Sequence, residues 1–142
     1  MVYAPLLVAG SAAIILLIGL LHLLYTFYGP KLLPRDRELQ TRMQDVSPVI
    51  TSQTTIWKVW VGVNASHSCS LILFGAVYGY LALVHSELLF QSVFLLSLGL
   101  ILLLGYVFLA KQYFFRRPLM LILLATFLYA LALILSRSEI DH

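Results

Sequence analysis

Polar residues in this chain are bunched, and between the bunches lie four long apolar stretches, at residues 4–28, 57–84, 88–110 and 118–136. Each approaches or exceeds the ~20 apolar residues that cross a ~30 Å hydrocarbon core at ~1.5 Å of helix rise per residue. The pattern predicts an all-α polytopic membrane protein. Its expected form is an antiparallel bundle of four transmembrane helices, a single domain over residues 1–142. The second and third stretches are joined only by His85-Ser86-Glu87, which makes them antiparallel neighbours.

The first connection is different. It runs from Gly29 to Ile56, whereas bundle connections usually need ~2–8 residues. After Pro34, residues 35–46 can form a short helix that places Leu39, Met43 and Val46 on one face and charge on the others. That pattern suits either a helix lying in the membrane interface or an ordinary solvated loop helix. Pro48 ends it, and residues 51–55 (Thr-Ser-Gln-Thr-Thr) offer N-caps for the next span. Gly29-Pro30 stops the first span. Aromatic residues gather at the ends of the spans, as Tyr25, Phe27 and Tyr28, as Trp57 and Trp60, and as Tyr113, Phe114 and Phe115. Such belts sit at headgroup level. Gly75 and Gly79 form a small-x-x-x-small pair that permits close helix approach, inside the bundle or in a dimer.

Composition agrees with the pattern. The chain is 61% hydrophobic, where about half is usual for a soluble domain. The formal net charge of +3 reads as topology. Lys31, Arg35, Arg37, Arg42 and Lys58 flank the first connection, and Lys111, Arg116 and Arg117 flank the third. Eight of the nine basic residues thus lie beside two connections on one side. The positive-inside rule makes that side cytoplasmic and leaves both termini outside. Interleaved Asp36, Glu38 and Asp45, without an aromatic platform, argue against a nucleic-acid partner. The first stretch lacks a basic n-region and is too long for a signal-peptide core. Cys69 is the single cysteine, so no internal disulfide forms.

The informative polar residues are those inside the spans. His22 lies six residues from Tyr28, roughly 9 Å in, and His67 lies seven from Trp60, roughly 10 Å in from the same boundary. The two histidines are therefore expected at one level on two helices. Thr26 is one turn from His22, and Asn64 and Ser68 accompany His67. Thr126, eight residues into the fourth stretch, falls at about 12 Å. Apart from Ser11, Tyr78 and Tyr80, the opposite halves of the first two spans are apolar. Ionisable residues inside a span are costly and by default mark function. The plain alternative is interhelical hydrogen bonding, which contributes only ~0.6 kcal/mol on average in lipid. His85 and His142 are read as solvated. No zincin, nucleophile-elbow, P-loop or dinucleotide motif occurs, and no carboxylate lies within a span.

The stretches His22-Leu23-Leu24-Tyr25-Thr26-Phe27 and Trp60-Val61-Gly62-Val63-Asn64-Ala65-Ser66-His67-Ser68 resemble a family of small bacterial four-helix membrane proteins of unknown function. The resemblance implies the four-span fold and a bacterial inner membrane, and no activity.

Three functions follow from these residues. In the first, His22 and His67 form a site in the cytoplasmic leaflet that binds, or binds and converts, an amphiphile such as a lipid, isoprenoid or quinone. The histidines would act as acid and base or as hydrogen-bond partners, oriented by Thr26, Asn64 and Ser68 and bordered by Trp60 and Thr126. In the second, the chain is a structural or accessory subunit of a larger membrane complex, or a homo-oligomer. In the third, His22 and His67 are axial ligands to a haem b iron; no other metal site is expected.

Overall fold

The computed structural model describes residues 3–138, with the side chain of Ser138 excepted; His142 lies outside them. The described residues are helical, with no strand among them. In chain order the helices are α1 (Tyr3–Phe27), α2 (Arg37–Asp45), α3 (Ile56–Val84), α4 (Ser86–Gln91), α5 (Val93–Tyr113) and α6 (Arg116–Ser138). Four of them, α1, α3, α5 and α6, are long and apolar enough to cross a membrane.

Helix ends follow local chemistry. Gly29 adopts φ 81°, a left-handed conformation that costs glycine nothing, and α1 stops just before it. Asp36 caps α2, its carboxylate accepting from the Glu38 amide at 2.9 Å. The hydroxyl of Thr55, immediately before α3, accepts from the Lys58 amide at 3.3 Å. The connection closes where the Ile56 amide donates to the Val46 carbonyl at 2.8 Å. The third long helix starts at Val93, five residues later than the apolar stretch suggests, because the Ser92 hydroxyl caps the Leu95 amide at 3.2 Å. The residues before it form the separate short helix α4.

The chain divides into two compact units. Among the described residues, the first comprises 3–18 and 71–138. Each long helix gives this unit one buried stripe at three- and four-residue spacing. The stripes are Ala4, Val8, Ala12 and Ile15 from α1, and Leu71, Phe74, Tyr78 and Ala82 from α3. From α5 come Leu103, Tyr106 and Ala110, and from α6 Ile122, Ala125, Tyr129 and Ala132. Alanines in these stripes bring backbones together. At Gly75 the approach is tightest: an added Cβ would lie 2.7 Å from the Ala12 carbonyl oxygen and 2.8 Å from the Leu16 Cα. Gly79 makes ordinary contact with Ala12. The pair thus serves packing within this unit.

Two buried tyrosines converge on the start of α5. Tyr78 donates its hydroxyl to the Leu95 carbonyl at 2.7 Å, and Tyr129 donates to that of Leu96 at 3.1 Å. Gly99 makes room for both rings, since a Cβ there would strike Tyr129 and Tyr78. Ser11 is fully buried and its hydroxyl has no partner among the described residues.

The second unit is Gly19–Ser70. It contains the end of α1, the whole first connection with α2, and the first half of α3.

Candidate functional site

Three polar side chains meet within the second unit. His22 comes from α1, and Asn64 and His67, one turn apart on one face, come from α3. His22 Nε2 lies 3.1 Å from Asn64 Oδ1. The imidazoles of His22 and His67 meet edge to face, with centroids 5.4 Å apart and planes at 86°. All three side chains are half-buried.

Asn64 is held from the other side as well. Its Nδ2 donates to the Trp60 carbonyl one turn earlier, at 2.8 Å. Only an amide nitrogen can donate to a carbonyl, so the atom turned toward His22 is the amide oxygen, which only accepts. His22 Nε2 is therefore the donor and carries a hydrogen. In the neutral ring the other nitrogen, Nδ1, holds a lone pair. The tautomer of His22 is thus fixed by the backbone of α3, through Asn64.

The other residues expected at the site fall into place differently. Thr26 is beside His22 in the chain, but its hydroxyl donates to the His22 backbone carbonyl at 2.7 Å. Ser68 is fully buried and donates to the Asn64 carbonyl at 2.9 Å. Both hydroxyls satisfy the turn behind them, and neither orients an imidazole through the bond it makes. Trp60 contributes its carbonyl to the Asn64 bond, and its side chain is partly exposed. Thr126 belongs to the first unit, where its hydroxyl donates to the Ile122 carbonyl at 2.8 Å.

Two further groupings went unread in the sequence. At the opposite end of α3, the Tyr80 hydroxyl lies 3.1 Å from His85 Nε2, with the rings 5.2 Å apart, both residues exposed. Their five-residue spacing across a helix end was the available signal. Lys31 Nζ sits 3.9 Å from the centre of the Tyr25 ring, a cation–π contact at the end of α1.

The arrangement bears on metal chemistry. Among the described residues, no group of three or more His, Cys, Asp or Glu side chains is placed to hold a metal ion. Axial ligation of one haem would require His22 and His67 to approach an iron from opposite faces of a porphyrin. Imidazoles in edge contact leave no space for the macrocycle between them, and His22 Nε2 is engaged by Asn64. The pair does not fit haem ligation as arranged. What it does offer is a pair of half-buried imidazoles held by an amide, with exposed Val63 one turn before His67 on α3. Comparison with protein-family models, curated proteins and solved structures finds no match for this chain, so the resemblance of its first two spans to a family of small membrane proteins establishes no membership.

Proposed function

We propose that the protein is an integral membrane protein that binds the polar head of an amphiphile against His22, Asn64 and His67. The observation that carries this reading is the meeting of two imidazoles and an amide on helices otherwise apolar enough to span a bilayer. Intramembrane ionisable residues face a partner or a cavity, because exposure to acyl chains is costly. Val63, exposed one turn before His67 on the same face of α3, provides an apolar border for the tail. The ligand is an amphiphile of the lipid, isoprenoid or quinone type.

This reading includes a topology. The four long helices form an antiparallel bundle, with the first and third connections cytoplasmic and both termini outside, as the basic residues direct. α2 then lies along the cytoplasmic interface. Leu39 and Val46 on α2 and its C-cap are about half-exposed, and Val49 and Ile50 beyond them almost wholly so. An interfacial location gives these apolar side chains an acyl boundary to meet.

A second reading, an accessory subunit, has one observation in its favour. α3 presents Gly62, Ser66, Cys69 and Ser70 at the surface, and a Cβ at Gly62 would meet nothing within 4 Å. Such a face suits a close-packed partner helix. A stoichiometric partner co-purifying in mild detergent would favour it.

The test of the first reading is ligand retention. Wild-type protein and a His22→Gln/His67→Gln variant are purified in mild detergent, and their extracts are compared by mass spectrometry. The wild type should retain an amphiphile that the variant loses by at least about tenfold, the equivalent of one hydrogen bond of ~1.4 kcal/mol. Helical circular dichroism checks that the variant is folded. Identical extracts from two folded proteins would sink the proposal.

A further inference from the structure

The site has a polarity that narrows the ligand class. Three links establish it. Asn64 Nδ2 is fixed on the Trp60 carbonyl at 2.8 Å. Asn64 Oδ1 therefore faces His22 Nε2 at 3.1 Å and accepts its hydrogen. His22 Nδ1 is thus left as an acceptor, and no described residue donates to it. Because His22 is only half-buried, a ligand can reach that nitrogen.

From this geometry we infer that His22 Nδ1 recognises a free hydroxyl, so that the ligand is an amphiphilic alcohol, such as a diacylglycerol or a polyprenol. An ether, an ester or a quinone presents only acceptors and would set lone pair against lone pair at Nδ1. A site that hydrogen-bonds a hydroxyl disfavours the analogue lacking it, because the bound analogue displaces solvent from Nδ1 and offers no hydrogen in its place. Asn64 acts here as a positioning residue: both its amide atoms are engaged within the protein, and it fixes which nitrogen of His22 faces outward. The inference rests on the amphiphile-binding reading above.

The test uses full-length protein with ¹⁵N-labelled histidine in phosphatidylcholine nanodiscs. Long-range ¹H–¹⁵N correlations report which ring nitrogen carries the proton. The expected spectrum has a protonated Nε2 and a pyridine-like Nδ1 at His22. Dioleoylglycerol and farnesol are then titrated separately, each beside its O-methyl ether. At least one alcohol should shift the Nδ1 resonance saturably, at a mole fraction about tenfold below that needed by its ether, the value of one lost hydrogen bond. Which alcohol acts tells a glycerolipid from an isoprenoid source. In Asn64→Leu the proton should distribute over both nitrogens, and the alcohol-to-ether ratio should fall toward one.

A protonated Nδ1 in the wild type overturns the inference outright, whether or not anything binds. Alcohol and ether acting alike overturn it while leaving amphiphile binding intact. An unchanged ratio in folded Asn64→Leu removes the positioning role of Asn64. A correct tautomer with no response to either alcohol overturns the inference, while amphiphile binding stands or falls by the extract comparison above.

Discussion

Ser11 illustrates how a hydroxyl behaves in an apolar helix when it fails to find a partner. It is fully buried and its oxygen has no hydrogen bond among the described residues, whereas Thr26, Ser66, Ser68 and Thr126 each donate to the carbonyl four residues back. An unsatisfied buried hydroxyl carries a desolvation penalty of ~1–3 kcal/mol. Ser11→Ala should therefore leave stability unchanged or raise it by up to about 1 kcal/mol, read from reversible unfolding in mixed micelles. A loss above that size would show a partner for the oxygen. The same backbone habit explains what was and was not legible at the site. Helix rise alone brings His22 and His67 to one level, and three-residue spacing puts Asn64 on the face of His67. Thr26 and Ser68 looked from the sequence like partners for the rings. Their own helices supply a nearer acceptor, which is the general tendency of Ser and Thr in a helix. Applied to the sequence, that rule would have left Asn64 as the one side chain with both a donor and an acceptor to offer. Which way its amide points depends on the Trp60 carbonyl, a backbone atom that no residue pattern announces.

At the scale of the helices, identical residues have opposite consequences. Gly75 and Gly105 both sit in long apolar helices, but only Gly75 has a second glycine, Gly79, one turn away. A Cβ at Gly75 would enter the backbone of α1 at Ala12 and Leu16, whereas one at Gly105 would meet nothing within 4 Å. Backbone atoms cannot swing away as a side chain can, so Gly75→Ala should destabilise by about 1–3 kcal/mol. Gly105→Ala should be neutral or stabilising by up to about 1 kcal/mol, since alanine favours the helix. Unfolding of the two variants in one detergent system checks the contrast, and equal effects would contradict the helix contact at Gly75. Helix boundaries were read with similar unevenness. The Gly29 stop and the helix after Pro34 were visible because turn and capping residues mark them. The start of α5 at Val93 was missed because residues 88–90 are as apolar as the span that follows. The signal was Ser92, whose hydroxyl caps the first turn. The faces of the long helices were the least legible feature. A helix that is apolar all round shows no stripe, and the buried positions mix large residues such as Tyr78 and Tyr129 with small ones such as Ala12 and Ala125.

For the molecule as a whole, the charged residues carry information that the apolar ones do not. Span number follows from hydropathy, and four helices qualify on length and composition. Orientation follows from where Lys and Arg fall, because translocating them is disfavoured while Asp and Glu count little. The first connection contains Asp36, Glu38 and Asp45 among its basic residues. By net charge it would be a weak cytoplasmic signal; by counting only Lys and Arg it is the strongest in the chain. These two ways of counting can be separated. The sole cysteine, Cys69, is replaced by serine, and single cysteines are introduced at Gln44 in α2, Glu87 in the second connection and Phe115 in the third, all of them exposed positions. With a membrane-impermeant maleimide on intact cells, Glu87→Cys should label at once. Gln44→Cys and Phe115→Cys should label only after the membrane is opened. That result would put His22 and His67 in the cytoplasmic leaflet, roughly 10 Å from the interface by helix rise, open to the inner surface, from which the proposed amphiphile would enter. The reverse pattern would invert the whole molecule and move the same site to the outer leaflet, leaving its geometry untouched while changing the pool of amphiphiles available to it.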